Sequence, residues 1–161
     1  SDTVETDRPV AQFENVTTAS IQGSEFSVKT AWWIAASEMG YTYIWPRDLG
    51  EGKVLKFRPR HLFYASTALS YGSMRLSLDY RFVSKIERID DNLVRLAPII
   101  HGDHRVPISV LDIRLHMTMQ DFGSPLRVGV NINNVLNYYY IELVGNLAPP
   151  RTFVLSIEGS L

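Results

Sequence analysis

A period of two runs through most of this chain, and it leaves few folds open. Leu111, Ile113, Leu115, Met117 and Met119 alternate with Asp112, Arg114, His116, Thr118 and Gln120. Met74, Leu76, Leu78, Tyr80 and Phe82 alternate with Arg75, Ser77, Asp79 and Arg81. In "LRVGVNINNVLNYYY", Leu126, Val128, Val130 and Ile132 alternate with Arg127, Gly129, Asn131 and Asn133. Successive strand side chains point to opposite faces, so each segment has one apolar and one polar face. Ala35–Trp45, Phe26–Trp32, Arg60–Tyr71 and Thr152–Leu161 repeat the pattern more loosely, and no segment reads as a helix.

The expectation is an all-β, antiparallel fold of about seven strands, near 17–31, 34–46, 58–71, 73–87, 105–120, 125–139 and 151–161. The first is expected to change face around Gly23. Most exceed the usual soluble strand of about five or six residues and reach the roughly nine to eleven needed to cross a bilayer at a tilt. The connections alternate in length. Trp32–Ile34, Tyr71–Ser73 and Asp121–Pro125 are short; Pro46–Phe57, Arg88–His104 and Ile141–Pro150 are long. Short turns at one end and long loops at the other characterise transmembrane β-barrels, whose short turns face the periplasm. Aromatic residues gather near strand ends, at Trp32, Trp33, Tyr43, Trp45, Tyr71, Phe122, Phe153 and the run Tyr138–Tyr140. That placement suits lipid–water interfaces, although aromatics are also good strand residues.

Composition narrows the function classes. The net charge is −1 over 161 residues, which provides no basic footprint for nucleic acid. There is no cysteine, so disulfides, thiolate metal sites and cysteine nucleophiles are excluded. No apolar run is long enough for a membrane helix, and Ser1–Ala11 carries no signal peptide. No nucleophile elbow, phosphate loop or metalloprotease motif is present. Neither an enzyme activity, a catalytic residue, a cofactor nor a metal is expected. His101, Asp103 and His104 in "HGDHR" are too few ligands for a metal site and read as a solvated loop. His61 reads as a structural contact. Glu25 and Glu38 are polar-face carboxylates with nothing to make them an acid–base pair.

The C-terminal pieces "LRVGVNINNVLNYYY" and "GNLAPPRTFVLSIEGSL" resemble the end of the barrel of a TonB-dependent outer-membrane receptor. Asn133–Tyr139 is similar to the family's Asn-Asn-Leu-Phe-Asn ending of the penultimate strand, and Pro149–Phe153 to the start of the last. "IQGSEF" (Ile21–Phe26), "GYTYIWPRD" (Gly40–Asp48) and "FRPRH" (Phe57–His61) resemble earlier strand motifs, in order. The resemblance implies that residues 17–161 are C-terminal strands of a larger, 22-stranded barrel, with 1–16 an extracellular lead-in. It implies a bacterial outer-membrane location and a periplasmic C-terminus. It also implies uptake of a scarce nutrient: a siderophore, cobalamin, another chelate, a glycan or a peptide. Phe153, Leu155, Ile157 and Leu161 would form the terminal-strand assembly signal, with Leu161 where the family usually ends in Phe. Arg75, Asp79, Arg81, Asp112, Arg114, His116 and Arg127 would face the lumen.

About seven strands and no plug leave two edges unpaired, which lipid does not tolerate. The expected partners are therefore outer-membrane lipid and another polypeptide, or a missing N-terminal part, that completes the barrel. TonB would be reached only through that part. The alternatives are a split or degenerate barrel acting as a scaffold in an outer-membrane assembly and, less in keeping with the charged faces, a soluble ligand-binding β-barrel.

Overall fold

Seven long strands lie side by side in the computed structural model, which describes residues 18–89, 106–119, 126–143 and 146–159. They are β1 (Ala19–Trp32), β2 (Ala35–Asp48), β4 (His61–Tyr71), β5 (Met74–Val83), β6 (Ile108–Met119), β7 (Leu126–Asn133) and β10 (Thr152–Gly159). The sheet order is β1-β2-β4-β5-β6-β7-β10, every pairing antiparallel. Three short strands decorate the long-loop end. β3 (Lys53–Val54) pairs with the end of β2, and β8 (Ile141–Leu143) pairs with β9 (Asn146–Leu147). The sheet is open: among the described residues, β1 and β10 each have a neighbour on one side only. Among the described residues no helix is long and apolar enough to cross a membrane.

The short turns follow from their residues. Trp33 and Gly72 adopt φ of 49° and 56°, which two-residue hairpin loops need to match the strand twist. Gly72 does so without a Cβ penalty. The expected seven strands are all present; five are shorter at both ends or at one, while β1 ends at Trp32 and β2 runs on to Asp48. The strand expected over 73–87 stops at Val83, and the one expected over 125–139 stops at Asn133. The change of face expected near Gly23 does not occur. Pairing runs unbroken from Ala19↔Asp48 to Trp32↔Ala35, so Ile21 falls on the polar face with Pro46. The pairing holds Gly23 tightly, since a Cβ there would lie 2.3 Å from the Tyr43 carbonyl oxygen. Residues 1–16, the 121–125 turn, His101, Asp103, His104 and Leu161 lie outside the described residues.

Register converts the sequence pattern into two continuous surfaces. Directly opposed residues share a face. One row runs Leu76, Leu115, Val130, Leu155, and the next runs Leu78, Ile113, Ile132, Phe153. Glu25, Lys29, Glu38, Arg75, Asp79, Arg81, Asp112, Arg114, Arg127 and Glu158 all fall on the opposite surface. The one strand-borne charge on the apolar surface is Arg47, at the long-loop end of β2. A core in the ordinary sense is minimal. Val110, Tyr140 and Ala148 form a small buried cluster, while Phe26, Phe153, Leu155 and Ile157 stay mostly exposed. An apolar sheet face of this extent, left open, marks a surface that another phase or chain covers.

Candidate functional site

The polar face carries a belt of complementary groups across the strands. Lys29 Nζ lies 3.1 Å from Glu38 Oε1, and the Tyr64 hydroxyl donates to the same oxygen at 3.0 Å. The Ser66 hydroxyl donates to Asp79 Oδ1 at 2.7 Å, while Arg114 pairs with Asp79 Oδ2. Arg127 and Glu158 close the belt on β7 and β10 at 3.6 Å. Arg75 and His116 stand opposite each other. Pairs as exposed as these are screened by solvent and add little to stability, so the belt is better understood as a charge pattern. Asn131 lies between Arg114 and Val154, and its side-chain oxygen has no hydrogen-bond partner among the described residues.

Two glycines bring side chains down onto this surface. The Tyr64 ring covers Gly40, where an added Cβ would lie 2.2 Å from Tyr64 Cε1; His116 and Ser156 crowd Gly129 in the same way. Gly40→Ala is expected to destabilise the sheet by about 1–3 kcal/mol, the usual cost of overpacking. In a Tyr64→Ala background the same substitution should cost far less, and urea midpoints of the four-member cycle measure the difference. Equal costs in both backgrounds would remove Tyr64 as the cause.

At the long-loop end the polar face changes character. Asn134 adopts φ of 52° and is 4% exposed. Its backbone N–H donates to Asp112 Oδ1 at 2.7 Å. Its amide nitrogen donates to the carbonyls of Tyr138 (2.9 Å) and Pro149 (3.3 Å), and Tyr138 N–H returns a bond to its Oδ1 at 2.9 Å. Asp112 directly opposes Asp79, an unfavourable like-charge position. Arg114 compensates one carboxylate and the Asn134 N–H the other. Val135 N–H then bonds the Leu111 carbonyl, whereas the β6–β7 register would put Asn134 opposite Leu111. One extra residue is accommodated there, as in a β-bulge. The chain returns over the polar face and buries Tyr140 against Val110 and Ala148. Arg81 Nη2 reaches the Tyr140 hydroxyl at 3.3 Å.

The seven residues expected to share the lumen-facing side, Arg75, Asp79, Arg81, Asp112, Arg114, His116 and Arg127, are thus on one face. They divide into roles: Arg81 and Asp112 hold the loop, whereas Asp79, Arg114 and Arg127 belong to the belt. Tyr140 departs from the expectation of an interfacial aromatic, because the turn at Asn134 points it inward. Tyr139 remains exposed. Phe153, Leu155 and Ile157 share the apolar face opposite Ile132, Val130 and Val128. Glu25 sits across from Thr42 and does not meet Glu38. His61 lies on the apolar face, its Nδ1 2.7 Å from the Tyr41 hydroxyl. The sequence placed Asn134 in the strand-end motif and Trp45 among the strand-end aromatics, but it indicated neither the hydrogen bonds of the first nor the guanidinium neighbours of the second. Repeated Asn after a strand is the one signal that could have pointed to the first. No group of three or more potential metal ligands occurs among the described residues.

An open antiparallel sheet of long, two-faced strands with alternating short and long connections defines a β-barrel wall segment. No family model matches the chain, and no curated protein matches it. Among solved structures it is similar to FpvA of P. aeruginosa, a TonB-dependent siderophore receptor, in its complex with iron and a heterologous pyoverdine. The TM-score is 0.62 at 20% identity, over 86% of this chain and 19% of FpvA. The chain therefore spans about a fifth of that protein, and the likeness establishes the fold.

Proposed function

We propose that this chain is part of the wall of an outer-membrane, TonB-dependent receptor barrel that takes up a scarce nutrient as a chelate. The segregation of strand charges carries the reading: β4 has none, and those of the other six long strands, with Arg47 excepted, lie on one face of the sheet. A charge on the lipid side of such a barrel costs about 2–4 kcal/mol at the midplane, and a lumen tolerates it. The likeness to FpvA supports the receptor class and an outer-membrane location. A metal chelate such as a ferric siderophore is the first ligand to test, because pyoverdine with iron is what FpvA holds. The apolar face meets lipid, the charge belt faces the lumen, and the long loops lie outside with the C-terminus in the periplasm. The free edges of β1 and β10 are paired in the complete barrel by strands from beyond this sequence or from another polypeptide. The same remainder carries the contact with TonB. The chain contributes wall and loops, and no catalysis.

No cysteine within these 161 residues competes with an introduced thiol, which makes a direct test available. Ser77→Cys and Leu78→Cys place one thiol on each face of β5 in the intact protein. In cells, a small water-soluble thiol reagent is expected to label the first and spare the second. Growth on an iron chelate should require both this protein and TonB. Equal labelling at both positions would defeat the membrane assignment. Correct labelling with TonB-independent growth would leave a scaffold.

A further inference from the structure

The geometry points to a binding site for the phosphate of an outer-leaflet lipid headgroup, in the cleft beside Trp45 at the long-loop end of β2. This rests on the lipid-facing assignment of the apolar surface proposed above. Trp45 and Arg47 share that surface with Tyr41, Tyr43 and His61. The rings form a rising column: Tyr43 and His61 centroids are 5.2 Å apart, and Tyr43 and Trp45 6.4 Å. Polar-tipped aromatics at one level of a barrel mark the interface between hydrocarbon and headgroups. Two guanidinium groups cap the column. Arg60 Cζ lies 4.5 Å from the Trp45 ring centroid and Arg47 Cζ 5.4 Å.

The two arginines differ in what holds them. Glu87 fixes Arg60, with Nε to Oε1 at 2.7 Å and Nη2 to Oε2 at 2.9 Å. Arg47 is exposed and has no carboxylate partner among the described residues. Arg47 is also the charge that departs from the segregation of the sheet, placed where only a headgroup, not hydrocarbon, would meet it. The cleft between them measures about 480 Å³, with Val54 and Lys53 on its wall. Arg47, Lys53, Arg60 and Arg88 line it with one carboxylate, Glu87; Glu87 pairs with Arg60 and Glu51 with Arg88 and Lys53, which leaves Arg47 as the lining cation with no carboxylate partner among the described residues. A nutrient arriving through the lumen would approach the other face. An anion bound by Arg47 and Arg60 over Trp45 comes from the lipid side, where the phosphate is at hand and the rings contact its glycan or glycerol.

The test uses the intact protein in phosphatidylcholine nanodiscs doped with diphosphoryl lipid A, with retained lipid counted by native mass spectrometry. Wild type is expected to retain it, and Arg47→Gln to retain about fivefold less, the effect of one basic residue near an anionic surface. Arg47→Lys should recover most of the loss. Monophosphoryl lipid A should bind more weakly than the diphosphoryl form, and excess inorganic phosphate should not displace either. Arg114→Gln, on the other face, should retain lipid like wild type. Unchanged retention in a folded Arg47→Gln protein would overturn the site. So would displacement by inorganic phosphate, which would make it a soluble-anion site. A protein that does not enter nanodiscs at all would overturn the membrane reading as well.

Discussion

Leu115→Arg is expected to block barrel assembly, and Arg114→Leu, one residue away, to be tolerated. Leu115 sits in the middle of β6, opposite Leu76 and Val130 on the apolar face. A guanidinium there would be held in hydrocarbon, at a cost of about 2–4 kcal/mol near the midplane. Arg114 points the other way, to Asp79. Its replacement removes a half-exposed pair contributing about 0–1 kcal/mol, and Asp79 keeps its bond from Ser66. Refolding of the intact protein into vesicles across a urea series, read by heat-modifiable gel mobility, compares the two. A gap of about 2 kcal/mol is more than a tenfold change in the folded ratio. In a soluble sandwich both surfaces would have to be reconsidered, because Leu115 would then be a core residue and Arg114 a surface one, and detergent would be unnecessary for either variant. Greater damage from Arg114→Leu would invert the two faces.

The strands were legible because a strand repeats every two residues and a barrel wall keeps its faces distinct over its whole height. Leu111–Gln120 and Met74–Phe82 alternate strictly, and the sheet matches Leu111–Met119 and Met74–Phe82 residue for residue. Ile21 shows the limit: it lies near the β1 end, where alternation is weak, and pairing with Pro46 decides its face. The loops were less legible because their structure depends on tertiary partners. Nothing local says that Arg60 will stack on Trp45, fifteen residues earlier, while Glu87 holds it from another loop. Tyr138, Tyr139 and Tyr140 look alike in the sequence, yet Tyr140 is buried and Tyr139 is exposed. The difference comes from the backbone conformation of Asn134, which a pattern of apolar and polar letters does not encode.

That residue is the subject of the second large effect. Asn134→Ala is expected to release the loop between β7 and β10 while leaving the strands paired. Three side-chain bonds are lost, each contributing about 1 kcal/mol, and a left-handed conformation is imposed on alanine at about 1–2 kcal/mol. Hydrogen exchange reads the outcome at Ala148, whose N–H bonds the Tyr140 carbonyl at 3.0 Å. Its protection should fall by about a hundredfold or more if roughly 3 kcal/mol is lost. Asn134→Gly separates the two causes, since glycine accepts the φ of 52° freely but makes none of the bonds. It should lie between alanine and wild type. Asp112→Ala should act on the same loop, because it removes the acceptor of the Asn134 N–H. Amides in the middle of β6 and β7 should keep their protection in all three variants. If Ala148 exchanges at the wild-type rate in Asn134→Ala, the loop is held by the burial of Tyr140 against Val110 and not by the asparagine.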